Sequence, residues 1–414
     1  MELDFAKLMT YLFGTEVNLK VIISCFGDFK PGTGGGNTAF QISQYLHSQG
    51  VLESVLCMGY DKAQSGTLTD YAIQVVPKRS IEKIVPSLIG RAELLFLGTI
   101  RFGRIIAEKA FDKASVQYLT ETDILHCIKP VVPRTIKEAK RLGIITTTQT
   151  ATCHARFNKE MIDMERKMYG LPCIDTYCDE TRVWRMEEVY ENVDYITTWY
   201  DFVAQTFIDK GVPKEKICVL HVPLGFKEPV YIKREPKGKL EVLYAAHTNL
   251  LKGLHYLLGA WENHKLYKIG RLTVCGDIDA NTRKIIRRKK WDLQNVDFVG
   301  RVNMGPYYEQ ADVVVVPSLS EGDSAVPREA MAYGIPVIVT EHCGNREIVE
   351  KFETGFVVPV RSEEAIAQAI IELHESQALR QHFGENGRRA TSQFTWRNYS
   401  HRLFEEFERM VEYA

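Results

Sequence analysis

Two glutamates, Glu321 and Glu329, bracket the segment EGDSAVPRE. The run DVVVVPS before them predicts a buried strand, and the apolar spacing of PREAMAYG predicts a helix after it. Pro327 suits the first helical position, so Glu329 is expected in the first turn of that helix and Glu321 in the loop before it. Both carboxylates are therefore predicted to face one pocket, where they would accept hydrogen bonds from hydroxyl groups.

Three backbone amides lie between the two carboxylates, those of Ser324, Ala325 and Val326. Unpaired N–H groups at the start of a helix, together with its positive dipole end, can hold a phosphate. Anion donors between two carboxylates suit a molecule with a central diphosphate and a polyol at each end, which describes a sugar nucleotide. The alternative is that Glu329 only complements the helix dipole and Glu321 is solvated.

The same segment is part of a longer pattern. PSLSEGDSAVPREAMAYGIPV resembles the E-x7-E signature of the large retaining glycosyltransferase family usually numbered four, also described as glycosyl transferases group 1. The resemblance extends to FVGRVNMGPYYEQADVVVVPS, to the lysine and glycine after LEVLYAAHTNLL, and to FTWRNYSHRLFEEFE. The first half of the chain resembles the family more loosely, through a glycine run and the segment EEVYENVDYITT.

The resemblance implies a role for each matching residue. Glu321 would contact the hydroxyls of the donor sugar, Glu329 would bind the ribose, and Lys252 would neutralise the diphosphate. Arg301 and Val302 would line the site of the base. A lysine after a strand is also often an ordinary surface charge, and this is the alternative for Lys252.

The sequence departs from the family's pattern at two positions. His247 stands five residues before Lys252, where the family often has arginine, and Pro327 comes one residue later than the family's proline. We place His247 with the donor-binding residues, although the sequence does not say whether it replaces that arginine functionally.

Gly34, Gly35 and Gly36 follow the first predicted strand, VIISCF. Backbone without side chains can approach a ligand closely, and this run resembles the family's glycine loop under the donor phosphate and the acceptor. A plain flexible turn is the alternative.

His154 follows a later strand pattern, in TTTQTATCHARFNKEM. It stands where the family places a histidine that touches the transferred sugar, so we group it with Glu321 and Lys252 as catalytic residues. The alternative is a structural histidine with satisfied hydrogen bonds, which is the interpretation we favour for His126 in DILHC.

For two further motifs we favour an interpretation without a binding function. Asp277 and Asp279 form a DxD, which binds a divalent metal in a different glycosyltransferase fold, but here it follows RLTVCG in the second half, and we expect no metal site. The run RRKKW from Arg287 to Trp291 could contact anionic lipid or nucleic acid. More often such a run is the solvated face of a helix.

Short apolar runs alternate with helical patterns along the whole chain, which predicts parallel sheets covered by helices. A polar, proline-bearing stretch, KEPVYIKREPKGK, interrupts the alternation. We therefore expect an α/β protein of two Rossmann-like domains, and the resemblance specifies the GT-B arrangement, with parallel sheets facing a central cleft. The expected division is an acceptor-side domain over 1–228, a nucleotide-sugar domain over 229–395, and an amphipathic helix over 396–414 that packs back toward the first domain.

Composition narrows the class of protein. The chain has 414 residues, long enough for two hydrophobic cores, and its 52 basic and 53 acidic residues nearly cancel. That balance gives no indication of nucleic-acid binding. Nine scattered cysteines without CxxC spacing favour reduced thiols. No apolar run reaches the length of a membrane span and no signal peptide is evident, so we expect a cytoplasmic protein.

The predicted function is a retaining, metal-independent transfer of a hexosyl unit from a nucleotide-diphosphate sugar to an acceptor hydroxyl, in the synthesis of a polysaccharide, glycolipid or glycoconjugate. The donor is a substrate, so no cofactor is expected. A glycoside phosphorylase, a sugar-nucleotide epimerase and a non-catalytic sugar-nucleotide-binding subunit are the alternatives. The sequence does not identify the base and the sugar of the donor or the acceptor. Peripheral contact with a membrane and homodimerisation are both compatible with it.

Overall fold

The computed structural model describes residues 19–32, 34–76, 99–171, 178–221, 238–247, 249–391 and 395–414. Strands in these ranges form two sheets, and every pairing between neighbouring strands for which a register is recorded is parallel. The predicted α/β class with two parallel sheets is confirmed.

The strands of the seven-stranded sheet are β1 (Val21–Phe29), β2 (Leu52–Tyr60), β3 (Ala72–Gln74), β4 (Ile124–Cys127), β5 (Ile145–Thr150), β6 (Tyr195–Thr198) and β7 (Ile217–Val219). Their spatial order is β3-β2-β1-β4-β5-β6-β7. The strands of the six-stranded sheet are β8 (Leu240–Ala245), β9 (Gly270–Cys275), β10 (Val296–Gly300), β11 (Val313–Val316), β12 (Val337–Thr340) and β13 (Gly355–Val358). Their order is β10-β9-β8-β11-β12-β13.

Helices connect these strands. In chain order they are α1 (Gly34–Ser48), α2 (Lys62–Ser65), α3 (Thr99–Ser115), α4 (Pro133–Arg141), α5 (Ala155–Met168), α6 (Glu180–Asn192), α7 (Asp201–Ile208), α8 (Leu254–Asn263), α9 (Ala280–Lys289), α10 (Gly305–Gln310), α11 (Ala325–Ala332), α12 (Arg346–Phe352), α13 (Glu363–Glu375), α14 (Gln377–Thr391) and α15 (Trp396–Glu412). Among the described residues, no helix combines the length and the apolar character that a membrane crossing requires.

The six-stranded sheet is built around a continuous apolar core. All four valines of β11 are buried, as expected for a central parallel strand covered on both faces. β11 lies between β8 and β12, with Val314 opposite Leu243 and Val337. Leu257 and Trp261 of α8 and Ile370 of α13 belong to the core that covers this sheet. The loops at the carboxyl ends of its strands are therefore held on a rigid base.

Residue contacts divide the chain into two compact units. One comprises residues 1–149, 192–195 and 400–414, and the other comprises residues 150–191 and 196–399. The predicted boundary between residues 228 and 229 lies outside the described residues, as does most of the predicted strand ELLFLGTI.

The C-terminal helix α15 is amphipathic, as predicted. Leu403, Phe407 and Met410 lie on its buried side. Within its unit, the ring of Phe407 packs 5.3 Å from the ring of His126. His126 itself is fully buried, and its Nδ1 lies 2.6 Å from the Thr147 hydroxyl. The interpretation of His126 as a core residue is confirmed.

The glycine run differs from its prediction. Gly34, Gly35 and Gly36 are not a loop but the first turn of α1, and β1 extends three residues beyond VIISCF to Phe29. A Cβ on Gly36 would lie 1.9 Å from the carbonyl oxygen of Asp28, so the helix can approach the strand end only with glycine there. The local pattern predicted a loop because glycine is a poor helix former, and close packing overrides that preference.

The eight cysteines among the described residues are free and buried, as expected for reduced thiols.

Candidate donor site at the carboxyl edge of the six-stranded sheet

Glu321 lies in the loop after β11, and its backbone is fixed on both sides. Its amide donates to the carbonyl of His342 at 2.9 Å, and its carbonyl accepts from the amide of Gly344 at 2.9 Å. The residue is only 8% exposed. The neighbouring Gly322 permits this close packing, because a Cβ there would lie 2.2 Å from the carbonyl oxygen of Ala151.

Lys252 reaches Glu321 through a short turn. Gly253, directly after it, has φ 64° and ends a 3₁₀ helix of Leu250–Lys252. A Cβ on Gly253 would lie 1.8 Å from the carbonyl oxygen of Pro317, and the Leu319 amide donates to the Leu251 carbonyl at 2.7 Å. The turn after β8 is thereby joined to the loop after β11, and the Lys252 ammonium contacts a carboxylate oxygen of Glu321.

The electrostatics of this pair are set by burial. Desolvation raises the pKa of Glu321 above its ordinary value, and the charge and hydrogen bond of Lys252 oppose that rise. The Lys252 side chain keeps 26% of its surface exposed, whereas that of Glu321 keeps 8%. Such a pair can bind a hydroxyl group and an anionic group side by side.

Helix α11 begins two residues earlier than predicted. Ser324 is its N-cap residue and Ala325 its first residue, so Pro327 occupies the third position and Glu329 lies beyond the first turn. The Ser324 amide donates to the Asn345 side chain at 2.9 Å. Of the three amides predicted to hold a phosphate, that of Ser324 therefore already has an acceptor. Those of Ala325 and Val326, as first-turn N–H groups, have no acceptor within the helix.

Glu329 is held by a tyrosine from another element. The hydroxyl of Tyr308, on α10, donates to Glu329 Oε2 at 2.5 Å. Burial and the Glu329 charge both raise the pKa of Tyr308, so this phenol stays protonated and serves as a donor. One carboxylate oxygen of Glu329 is thereby fixed by the protein, and the other keeps capacity for a ligand hydroxyl.

A cavity of about 480 Å³ opens beside the start of α11. It brings together four of the predicted donor-binding residues, which come from the loop after β8, the loop after β10 and the first turn of α11: His247, Arg301, Val302 and Val326. The rest of its lining comes from the ends of β8 and β9 and the turns that follow them, and from the loop after β10: Ala245, Ala246, Cys275, Gly276, Asp277 and Met304. Its size and mixed lining suit a nucleoside.

The two aspartates of the DxD have other partners. Asp279 is the N-cap of α9 and accepts hydrogen bonds from the amides of Asn281 and Thr282. Asp277 accepts a hydrogen bond from Arg301 Nε at 2.5 Å, and both side chains are more than half exposed. Arg301 is thus oriented along the rim of the cavity by Asp277.

His154 lies at the start of α5, in the same unit as Glu321 and Lys252. Its Nδ1 accepts from the amide of Arg156 at 3.1 Å, which makes it the N-cap of α5. Its ring packs between Tyr190 and Phe207, with centroids 4.9 and 5.0 Å away. Burial, reinforced by the charges of Lys210 and Arg156, lowers the pKa of His154 to about 4. The neutral ring therefore presents only Nε2–H as a donor, and its contact with a sugar stays a prediction.

A polar network beneath the loop was not foreseen from the sequence. The Tyr200 hydroxyl donates to Asp323 at 3.0 Å, and the side-chain amide of Asn345 donates to that hydroxyl at 3.0 Å. Arg328 donates to the other oxygen of Asp323 at 2.7 Å. This network fixes the residues between Glu321 and α11. Only the acid–base pair Asp323 and Arg328 was visible in EGDSAVPRE, because the other two partners lie far away in the sequence.

The family of the second half follows from its match to a known family model. The model described as "Glycosyl transferases group 1" matches residues 230–390. The chain carries a glycosyl transferases group 1 domain. This domain contains Lys252, Glu321, Glu329 and the whole lining of the cavity, so the resemblance given above is confirmed.

Curated relatives agree over part of their length. The capsular polysaccharide biosynthesis glycosyltransferase CapM of Staphylococcus aureus is 32% identical over 168 residues, which cover 38% of this chain and 42% of CapM. The amylovoran biosynthesis glycosyltransferase AmsK of Erwinia amylovora is 30% identical over 185 residues, which cover 41% and 45%. The chain spans about half the length of several curated relatives that it matches.

Solved structures share the fold across nearly the whole chain. Sucrose-phosphate synthase from Thermosynechococcus elongatus has a TM-score of 0.63 at 18% identity and covers 96% of this chain and 100% of its own. Anabaena Alr3699/HepE, solved with UDP and glucose, has a TM-score of 0.63 at 16% identity and covers 94% and 99%. The chain therefore has the GT-B glycosyltransferase fold.

Proposed function

We propose that this chain is a retaining glycosyltransferase that moves a hexosyl unit from a nucleotide-diphosphate sugar to an acceptor hydroxyl. The product would be a polysaccharide, a glycolipid or another glycoconjugate. The names of CapM and AmsK, both glycosyltransferases of polysaccharide synthesis, support this product class. Retention of the anomeric configuration follows from the resemblance of the E-x7-E segment to the retaining family.

One observation carries the proposal: three binding features follow one another along the carboxyl edge of the six-stranded sheet. The cavity lined by Arg301 and Val302 has the size of a nucleoside. Val326, in the first turn of α11, lines the same cavity, and its amide faces the start of that helix. Glu321, which pairs with Lys252, stands in the loop after β11, three residues before the Ser324 N-cap. Base, diphosphate and sugar would fit this order.

In the proposed reaction, the bond between the anomeric carbon and the diphosphate oxygen breaks, and its electrons stay on that oxygen. The acceptor oxygen bonds to the anomeric carbon on the same face, and its proton passes to the departing phosphate oxygen. Lys252 and the amides of Ala325 and Val326 stabilise the charge that develops there. These groups belong to the chain itself, so we expect transfer to persist in the presence of EDTA.

Two alanine variants test the assignment. We expect Lys252→Ala to lower kcat about 100-fold with a smaller change in donor affinity, because the lysine acts on developing charge. We expect Glu329→Ala to weaken donor binding about tenfold, because it removes a hydrogen-bond acceptor for the ribose. Nucleotide release from uridine, guanosine and adenosine diphosphate sugars, with a panel of sugar acceptors, measures both.

Lys239→Ala is the matched control, since Lys239 is an exposed lysine at the start of the same sheet. Donor affinity and turnover that stay unchanged in both site variants would contradict the assignment. A reaction that requires inorganic phosphate would instead indicate a phosphorylase.

A further inference from the structure

Helix α9 and the residue after it carry a dense group of cations. Six of the eight residues from 283 to 290 are lysine or arginine, and none is acidic. Thr282 and Ile285 face the core, so the cations occupy the outer side of the helix. All but one of the six are exposed; the six are Arg283, Lys284, Arg287, Arg288, Lys289 and Lys290.

These cations keep their charge available. In the part of the chain that the structure describes, no acidic side chain forms an ion pair with Arg283, Arg287 or Lys290. This contrasts with α5, where Lys159 and Arg166 both pair with Asp163. The whole chain has a formal net charge of −1, so this concentration of positive charge is local. Unneutralised surface charge attracts an anionic partner.

Exposed apolar side chains lie beside the cations. Met164 and Met168, one turn apart at the end of α5, are 47% and 56% exposed. That end of α5 is attached to α9, because Arg288 donates to the carbonyl of Tyr169 at 2.5 Å and Lys289 lies 6.0 Å from the centre of the Tyr169 ring. The exposed methionines and the α9 cations therefore lie on two elements that contact each other, and we call these residues together the basic surface.

We propose that the basic surface docks on an anionic lipid membrane. Clustered lysines and arginines are attracted to the negative headgroups of a bilayer, and flexible apolar side chains insert at the boundary between headgroups and acyl chains. Nucleic acid also attracts cations, but exposed methionines add nothing to contact with a phosphate backbone. The proposal does not depend on the proposed glycosyl transfer, although it would bring the chain to lipid-borne acceptors.

Vesicle sedimentation with the full chain tests this proposal. Vesicles of phosphatidylglycerol and phosphatidylcholine are compared with vesicles of phosphatidylcholine alone, at low and at high salt. We expect binding to the anionic vesicles only, weakened by salt. Arg283→Glu/Arg287→Glu should lower the partition coefficient at least about tenfold, since each basic residue near a membrane contributes several-fold. Met164→Ser/Met168→Ser should lower it less.

Lys109→Glu/Lys113→Glu is the matched control, because these exposed lysines of α3 have the same spacing and undergo the same change of charge. Thermal unfolding verifies that every variant is folded. The proposal is overturned if the wild-type chain binds neutral vesicles equally or binds neither kind. It is also overturned if the control loses as much binding as the α9 variant, or if an oligonucleotide binds while anionic vesicles do not.

Discussion

Glu321 is a carboxyl group that the fold keeps almost out of water, with a single lysine against one of its oxygens. Such an arrangement lowers the stability of the fold, because a buried carboxylate loses more hydration energy than one cation restores. A carboxylate kept at this cost indicates a functional role. The raised pKa of Glu321 expresses this cost. The same carboxylate is the one that we propose contacts the donor sugar.

The pH dependence of the melting temperature of Glu321→Gln tests how much the buried charge destabilises the fold. A folded-state pKa above the ordinary value means that protonation stabilises the fold at acidic pH, and that this stabilisation is lost as the pH rises. We therefore expect Glu321→Gln to raise the melting temperature relative to wild type at pH 7.5, and the difference to shrink at pH 5. Differential scanning fluorimetry at both values measures it.

Glu385→Gln, a substitution of an exposed glutamate on α14, is the control. A Glu321→Gln difference that grows as the pH falls would contradict a raised pKa.

The two glutamates could be found from their spacing and from the proline and glycine around them. Tyr308 could not be found, because its hydrogen bond to Glu329 joins residues of two helices and no sequence pattern connects them. His247, Arg301 and Val302 came from the resemblance alone, and the structure places all three around one cavity. Their contact with a nucleotide stays a prediction.

At the scale of elements, the site depends on turns that bring separate loops together. The turn at Gly253 is the main example, since it joins Lys252 to the loop that carries Glu321. Two constraints meet at this glycine: a φ of 64° and a carbonyl oxygen 1.8 Å from where a Cβ would lie. A left-handed conformation alone costs a residue with a side chain roughly 1–2 kcal/mol.

Gly253→Ala is expected to reduce the free energy of unfolding by about 3 kcal/mol or more, because the methyl group displaces the loop as well as straining the backbone. Gly143→Ala separates the two effects: Gly143 has φ 78°, but a Cβ there meets nothing within 4 Å. We expect this control to cost only about 1 kcal/mol. Urea denaturation measures both, and equal losses would contradict a packing role for Gly253.

Most elements of the second half were predictable, because a period of two or 3.6 in apolar residues identifies strands and helices directly. Their ends were harder. α11 begins at Ala325, directly after Ser324, whose amide donates to Asn345, and the preference of proline for the first position gave the wrong start. The glycine run was wrong for a similar reason, since the contact of Gly36 with Asp28 is set by tertiary packing.

At the scale of the whole molecule, two parallel sheets each have their own core, and the C-terminal helix supplies part of one of them. Phe407 on α15 is fully buried beside His126. Alternating patterns predicted the two sheets, and the amphipathic tail predicted the helix. The sheet order could not be predicted from patterns, because the pairing of distant strands leaves no local trace.

Phe407→Ala is expected to destabilise the unit that contains α15 by about 3–5 kcal/mol through loss of buried area and creation of a cavity. Calorimetry would record a lower melting temperature. Glu405→Ala, on the exposed side of the same helix, is the control and should change it little. A Phe407→Ala protein as stable as the control would contradict the role of α15 in the core.

The central claim is that the carboxyl edge of the six-stranded sheet binds a nucleoside diphosphate. Isothermal titration calorimetry with uridine, guanosine and adenosine diphosphates tests it most directly, on the wild-type chain and on Val302→Trp, which fills the cavity. The account predicts that at least one diphosphate binds the wild type, more tightly than its monophosphate, and that Val302→Trp weakens this binding at least about tenfold while remaining folded. No binding by the wild type, or equal binding by the filled variant, would contradict it.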